Sequence, residues 1–256
     1  MDRDTLINDI NQIIGLDLLA KAAKNDERAN GVQVLGSAAV NKVAFGVSCN
    51  LAFLEKATEW GAQLCVFHHG LDIQTYKSRF PMYHQKRLRL IFQHDLSILG
   101  FHYALDAHPK IGNNARIIQE LDGQINDTLF HEWGFVAELS QSVRSHELRV
   151  KIEDILGRKI FHFGDKNREI GRIGVVTGAA KPNAEELEEM KAKGVQLYIS
   201  GETSEATPHM MLEEGIDYFV CGHYASETFG VKALFESLKE KQPKLDLKFI
   251  DIPNPV

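Results

Sequence analysis

Two stretches of the chain carry the same succession of apolar runs and amphipathic segments. The first opens with "KVAFGVS" (42–48), apolar and β-branched almost throughout, which predicts a buried strand. In "NLAFLEKATEWG", Leu51, Leu54 and Ala57 recur at helical spacing, with Asn50 as N-cap and Gly61 as the stop. "AQLCVF" predicts the returning strand, which delivers His68 and His69. The second stretch opens with the strand "RIGVVTG" (172–178). "PNAEELEEMKAKG" follows as a helix with Pro182 near its first turn, acids early, lysines late and Gly194 as the stop. "VQLYIS" returns and delivers Gly201 and Glu202.

The likeness continues downstream. The first copy adds a helix ending near Asp95, a short strand and the tip His-Tyr-Ala-Leu-Asp (102–106). The second adds a helix over Pro208 to Glu214, the strand "DYFVC" and the tip His-Tyr-Ala-Ser-Glu (223–227). "YKSRFPMYHQKRLR" (76–89) has no counterpart in the second copy and is expected to form a flap beside a site. Between the copies, "WGFVAEL" predicts a strand and "SVRSHELRVKIEDIL" a helix ending at Gly157. Alternating strands and helices predict an α/β fold: two related three-layer lobes with largely parallel sheets and right-handed crossovers. The expected boundary lies in "DGQIND" (122–127), giving lobes 1–125 and 126–256, with the C-terminal helix and strand packing on the first.

Composition narrows the function classes. The chain has 256 residues, 44% of them hydrophobic, enough for a substantial core. Its net charge of -6 comes from 29 basic and 35 acidic residues scattered along the sequence, with no basic arm, which disfavours a nucleic-acid partner. Cys49, Cys65 and Cys221 are isolated in apolar contexts, without disulfide or zinc-finger spacing, as expected of buried thiols in a reducing compartment. The acidic, amphipathic N-terminus lacks a signal-peptide core, and no apolar run is long enough for a bilayer. These features predict a soluble, cytoplasmic protein without a membrane partner.

In parallel α/β sheets, ligands bind beyond the carboxyl ends of the strands. His68, His69, His102, Asp106, His223 and Glu227 all fall at such ends, together with Glu202 and His108. Neighbouring side chains of a strand point to opposite faces, so His68 and His69 are expected to converge only through a turn of the chain. The spacing of four places His223 and Glu227, and likewise His102 and Asp106, on one face of a helical turn. A single histidine at a strand end is usually an ordinary surface residue, and a single carboxylate near a helix start usually a cap. All of them together point to a metal centre, because imidazole and carboxylate suit zinc, iron, manganese, cobalt or nickel. Tyr103 and Tyr224 are expected to pack, and Asn113 or Asn114 to cap a helix. His84, His94, His131, His146 and His162 sit in amphipathic contexts and receive no role.

The motifs "NGVQVLG", "VFHHG", "HYALDAHPKIGNNA", "SGETSEAT", "GHYASE" and "FIDIPNP" resemble those of the Nif-three-like dinuclear metal-centre proteins. Within that family they are most similar to the bacterial branch called GTP cyclohydrolase 1 type 2 homologues, from about Asn30 to the last residue. The resemblance implies two α/β lobes with two divalent metals between them, and a toroidal homohexamer. It implies His68, His69, Asp106, His223 and Glu227 as ligands, with Glu227 the bridge. Gly70 stands where many members have proline, and Tyr224 where bacterial relatives often have a second histidine. Neither change removes a ligand.

The function so implied is a dinuclear metal-dependent hydrolase acting on a nucleotide or phosphoester, with GTP ring opening the version that the family name suggests. A metal-bound hydroxide would be the nucleophile, and Glu202 and His102 would manage protons. No P-loop or guanine-reading signature accompanies these residues. The alternative is a metal-binding regulatory or assembly protein without turnover. Metal storage or delivery is a third reading.

Overall fold

The computed structural model describes residues 1–73 and 79–256. They form two compact units, each with its own sheet. The first contains α1 (Arg3–Ile14), α2 (Leu16–Asn25), β1 (Asn30–Val34), β2 (Lys42–Ser48), α3 (Leu51–Trp60), β3 (Leu64–His69), α4 (Met82–Gln93), β4 (Ser97–Phe101) and α5 (Tyr103–Asp106). The second contains α6 (Asn113–Glu120), β5 (Gly123–Leu129), β6 (Gly134–Arg144), α7 (Ser145–Leu156), β7 (Phe161–Phe163), β8 (Glu169–Val175), α8 (Ala184–Ala192), β9 (Leu197–Ser200), α9 (Thr207–Glu213), β10 (Asp217–Val220) and α10 (His223–Ser226). Helix α11 (Thr228–Lys241) leads back to the first unit, where β11 (Asp246–Phe249) joins its sheet.

The first sheet has the order β1-β4-β3-β2-β11, parallel except for β1 at one edge. Strands β2 and β3 read as continuous apolar runs because both their faces are covered. On β2, Ala44 belongs to the cluster containing Phe53, Leu54 and Ala57 of α3. Phe45 points the other way and meets Phe235 of α11 edge-on, with ring centroids 5.5 Å apart. Gly46 lies on the α3 side, where a Cβ would stand 2.4 Å from the Phe53 ring, so the helix packs on bare backbone.

The second sheet has the order β5-β6-β8-β9-β10-β7. Only β8, β9 and β10 run parallel; β5, β6 and β7 extend the sheet antiparallel. The short β5–β6 connection accounts for part of this, since a hairpin can join only antiparallel strands. Leu148 and Ile152 of α7 and Ile117 and Ile118 of α6 pack on one face. Leu187 and Met190 of α8 and Met211 of α9 pack on the other.

Several boundaries differ from the sequence reading. The units change over at His108/Pro109 rather than at 125/126. "DGQIND", expected as a linker, contributes to β5: polar residues alternate there because the strand lies at a sheet edge with one side in water. Strand β6 extends to Arg144 and takes in residues expected to begin the following helix, which starts at Ser145. Of the expected flap over 76–89, residues 76–78 lie outside the described residues, and Met82 onward belongs to α4, the crossover helix from β3 to β4.

The internal repeat is present as architecture. The order β2-α3-β3-α4-β4-α5 recurs as β8-α8-β9-α9-β10-α10, three parallel strands followed by a single helical turn. His102 immediately precedes α5, and His223 opens α10. No helix among the described residues is long and apolar enough to cross a membrane.

Candidate metal centre

In the first unit, β3 continues through His69, which pairs with Ser48 of β2, so the chain does not turn before the second histidine. The two rings nevertheless approach to 4.6 Å between centroids. They do so because each is tied to a different neighbouring strand. His68 Nδ1 lies 2.9 Å from the Phe101 carbonyl at the end of β4, and His69 Nδ1 lies 3.2 Å from Ser48 Oγ at the end of β2. His102 joins them, 5.0 Å from the His68 ring and 5.4 Å from the His69 ring. One nitrogen from each of these three histidines can be chosen so that all lie within 4.8 Å of one another.

Asp106 ends the turn that follows His102, and its Oδ2 stands 3.6 Å from His68 Nε2. His102 is fixed by Asp26, whose Oδ2 accepts from its Nδ1 at 2.8 Å and from the Tyr103 N–H at 3.0 Å. Burial raises the Asp26 pKa, but the bonds from His102 and from backbone amides outweigh it and hold the carboxyl at about 2. Gly70 belongs to the same construction. The Gln33 side chain spans the backbone N–H and carbonyl of Leu71, and a Cβ on residue 70 would sit 2.0 Å from its oxygen. A side chain at residue 70 is incompatible with Gln33 in this position.

The second unit builds a matching group. His223 Nε2 lies 3.1 Å from Glu227 Oε2, as expected for residues four apart around one turn. His223 Nδ1 lies 2.6 Å from Glu202 Oε1, and Lys181 donates to the other Glu202 oxygen at 2.6 Å. The His223 and Lys181 contacts lower the Glu202 pKa. Burial alone would push the His223 pKa down, but the Glu227 and Glu202 carboxylates raise it. Glu227 is only 2% exposed. It lies against Gly178, whose φ of +70° and lack of a side chain leave room for the carboxylate.

Buried polar groups hold the loops that carry this group. The Tyr218 hydroxyl donates to the Glu202 carbonyl at 2.5 Å, and the Tyr198 hydroxyl donates to the Ala180 carbonyl at 2.7 Å. Asn114, expected as a helix cap, lies inside α6 instead. Its amide accepts from the Thr177 N–H and donates to the Trp133 carbonyl, both at 2.8 Å, and so fixes the residue before Gly178.

These residues fit divalent metal. Two donors on one tetrahedral ion with bonds of ~2.1 Å stand about 3.4 Å apart, a value that lies between the His223–Glu227 and His68–Asp106 separations of 3.1 and 3.6 Å. The Nδ1 atoms of His68, His102 and His223 face acceptors: a carbonyl, the Asp26 carboxylate and the Glu202 carboxylate. Such partners make Nδ1 the donor and leave Nε2 as the nitrogen that would bind metal, the usual arrangement of a metal-binding imidazole. The structure thus brings His68, His69, His102 and Asp106 together in one unit and Glu202, His223 and Glu227 in the other. His108 goes elsewhere, its Nε2 3.2 Å from the Ile13 carbonyl. Asp26, Lys181 and Gly178 were missed in the sequence because no local pattern marks them. Only the fold brings Asp26 to a histidine 76 positions away.

A family model described as Duf34/NIF3 (NGG1p interacting factor 3) matches residues 1–255. The GTP cyclohydrolase 1 type 2 homolog of Escherichia coli (strain K12) is 36% identical over 255 residues, covering 96% of this chain and 98% of that protein. Among solved structures, one described as structural genomics, protein ybgI, unknown function, matches with a TM-score of 0.88 and 32% identity over the whole of both chains. The protein TTHA1606 from Thermus thermophilus matches with a TM-score of 0.78 and 25% identity, again over both whole chains.

Proposed function

Because the chain belongs to the Duf34/NIF3 family, whose model matches residues 1–255, we propose that it is a dinuclear metal-dependent hydrolase acting on a nucleotide or phosphoester. The proposed ligands are His68, His69 and Asp106 of the first unit and His223 and Glu227 of the second, with Glu227 shared by both ions. The observation that carries this reading is the matched donor geometry: a histidine Nε2 beside a buried carboxylate at 3.6 Å in one unit and 3.1 Å in the other. Zinc, iron, manganese, nickel and cobalt all suit the set. Two divalent ions supply Lewis acidity and make water acidic enough to serve as a nucleophile near neutral pH.

The chain's own residues orient and aim. The Phe101 carbonyl and Ser48 hold the two adjacent imidazoles, which otherwise would follow the strand to opposite faces. Glu202 engages His223 through one oxygen and Lys181 through the other, so it orients the imidazole and balances charge. Proton handling by Glu202 would require exchanging its Lys181 contact for the substrate. The relatives' shared name makes GTP the first substrate to test. We further propose a homohexamer, which light scattering tests: a monomer mass at micromolar concentration refutes it.

The decisive experiment loads the protein with each candidate metal and assays GTP and a phosphoester panel, with Glu227→Ala as the control. Turnover that requires metal and Glu227 supports the hydrolase. Tight metal binding with no turnover of any substrate favours the second reading, a metal-binding regulatory or assembly protein, to which the family's description as an interacting factor also points.

A further inference from the structure

We propose that His102 is a sixth protein ligand to the metal centre, and that Asp26 is the positioning residue that aims it. This rests on the metal-dependent reading above and adds a residue to it. The first support is the internal repeat. His102 and Asp106 stand after β4 as His223 and Glu227 stand after β10, each pair four residues apart around a single turn. If His223 and Glu227 are ligands, His102 occupies the corresponding position in the first unit.

The second support is the surroundings of the two rings. Each places Nδ1 on a carboxylate brought from elsewhere in its unit: Asp26 at 2.8 Å for His102, Glu202 at 2.6 Å for His223. Such a partner orients the ring and makes Nδ1 the donor, which leaves Nε2 as the nitrogen that would bind metal. The carboxylates come from unrelated segments, one after α2 and one after β9, so the repeat of the interaction is not a by-product of the repeat of the sequence. Asp26 is also fastened in place, accepting from the Asn30 side chain at 2.8 Å and the Arg28 N–H at 2.9 Å.

The third support is the cluster itself. His102 stands with His68 and His69 in one group of candidate ligand nitrogens, the grouping that a three-histidine metal site requires.

The alternative is that His102 transfers protons and does not touch metal. Cobalt binding separates the two. Stripped wild-type protein, His102→Gln and Asp26→Asn are titrated with Co²⁺, following the visible absorption bands and the affinity by competition with a chelator, with circular dichroism as the fold control. Wild type should bind cobalt with intense low-coordination bands. His102→Gln should change those bands and weaken one site by at least the ~10–100-fold that loss of an orienting partner costs. Asp26→Asn keeps the imidazole and should shift affinity in the same direction by about 10–100-fold. It serves as the readout if His102→Gln does not fold. Wild-type bands and affinity in a folded His102→Gln, or in Asp26→Asn if that is the only variant to fold, overturn the inference and leave the other ligands standing. No cobalt binding by wild type overturns both this inference and the metal reading beneath it.

Discussion

Replacing Gly178 with alanine tests whether the Glu227 carboxylate sits where a metal needs it. The added Cβ would stand 2.2 Å from Glu227 Oε1 and 3.4 Å from His223 Nε2. Relieving the first contact to a tight non-bonded separation of ~3.2 Å moves the carboxylate oxygen by about 1 Å. Metal–ligand distances tolerate only ~0.2 Å, so the displaced oxygen leaves the coordination sphere or drags its ion with it.

The backbone contributes separately, because alanine at a φ of +70° costs ~1–2 kcal/mol. At ~2–4 °C per kcal/mol for a domain of this size, the metal-free protein should lose about 2–8 °C in Tm. Gly157→Ala is the matched control: its φ is +65°, and a Cβ there meets nothing within 4 Å. After chelation Gly157→Ala should lose this backbone contribution alone and Gly178→Ala at least as much, as read by differential scanning calorimetry. Only Gly178→Ala should also lose metal on dialysis, read by elemental analysis, with affinity down by more than ~10-fold. Gly178→Ala that retains metal as tightly as Gly157→Ala would refute the placement of Glu227 at the ions.

Glu227→Ala should lose metal more completely than His68→Ala or His69→Ala, because it removes a negative charge and a ligand proposed to serve both ions; equal retention across the three variants would exclude the bridge. Asp26 should contribute acid-range stability, since its carboxyl is held at about 2 against an ordinary 3.8. The contribution is full above pH ~4, where the unfolded carboxyl is ionised, and is lost as pH falls toward ~2. An acid-unfolding profile of Asp26→Asn that keeps the wild-type slope over that window would count against it. The three thiols should resist an aromatic disulfide reagent at pH 8 until the protein unfolds, because burial pushes Cys49 and Cys221 up to about 12 and Cys65 well above its usual value. Rapid labelling of folded protein would contradict their burial.

What the sequence determined by itself is what depends on near neighbours along the chain. The strand of residues 42–48, the helix capped by Asn50 and stopped by Gly61, and the one-turn spacing of His223 and Glu227 are local facts of period and capping. The doubled element order was legible for the same reason: a repeated hydrophobic pattern folds into a repeated unit. The tertiary structure decided whatever depends on distant partners. It ran β3 straight through His69 and gathered the imidazoles by tying them to β2 and β4, where local geometry had called for a turn. It made a polar stretch into the edge strand β5, because pairing with β6 satisfies backbone groups whatever the side chains are. It brought Asp26 to His102 and Lys181 to Glu202, and it set Gly178 beneath Glu227. Each of these joins residues separated by many positions, and their energies arise only once the chain has closed those loops, so no window of sequence contains them.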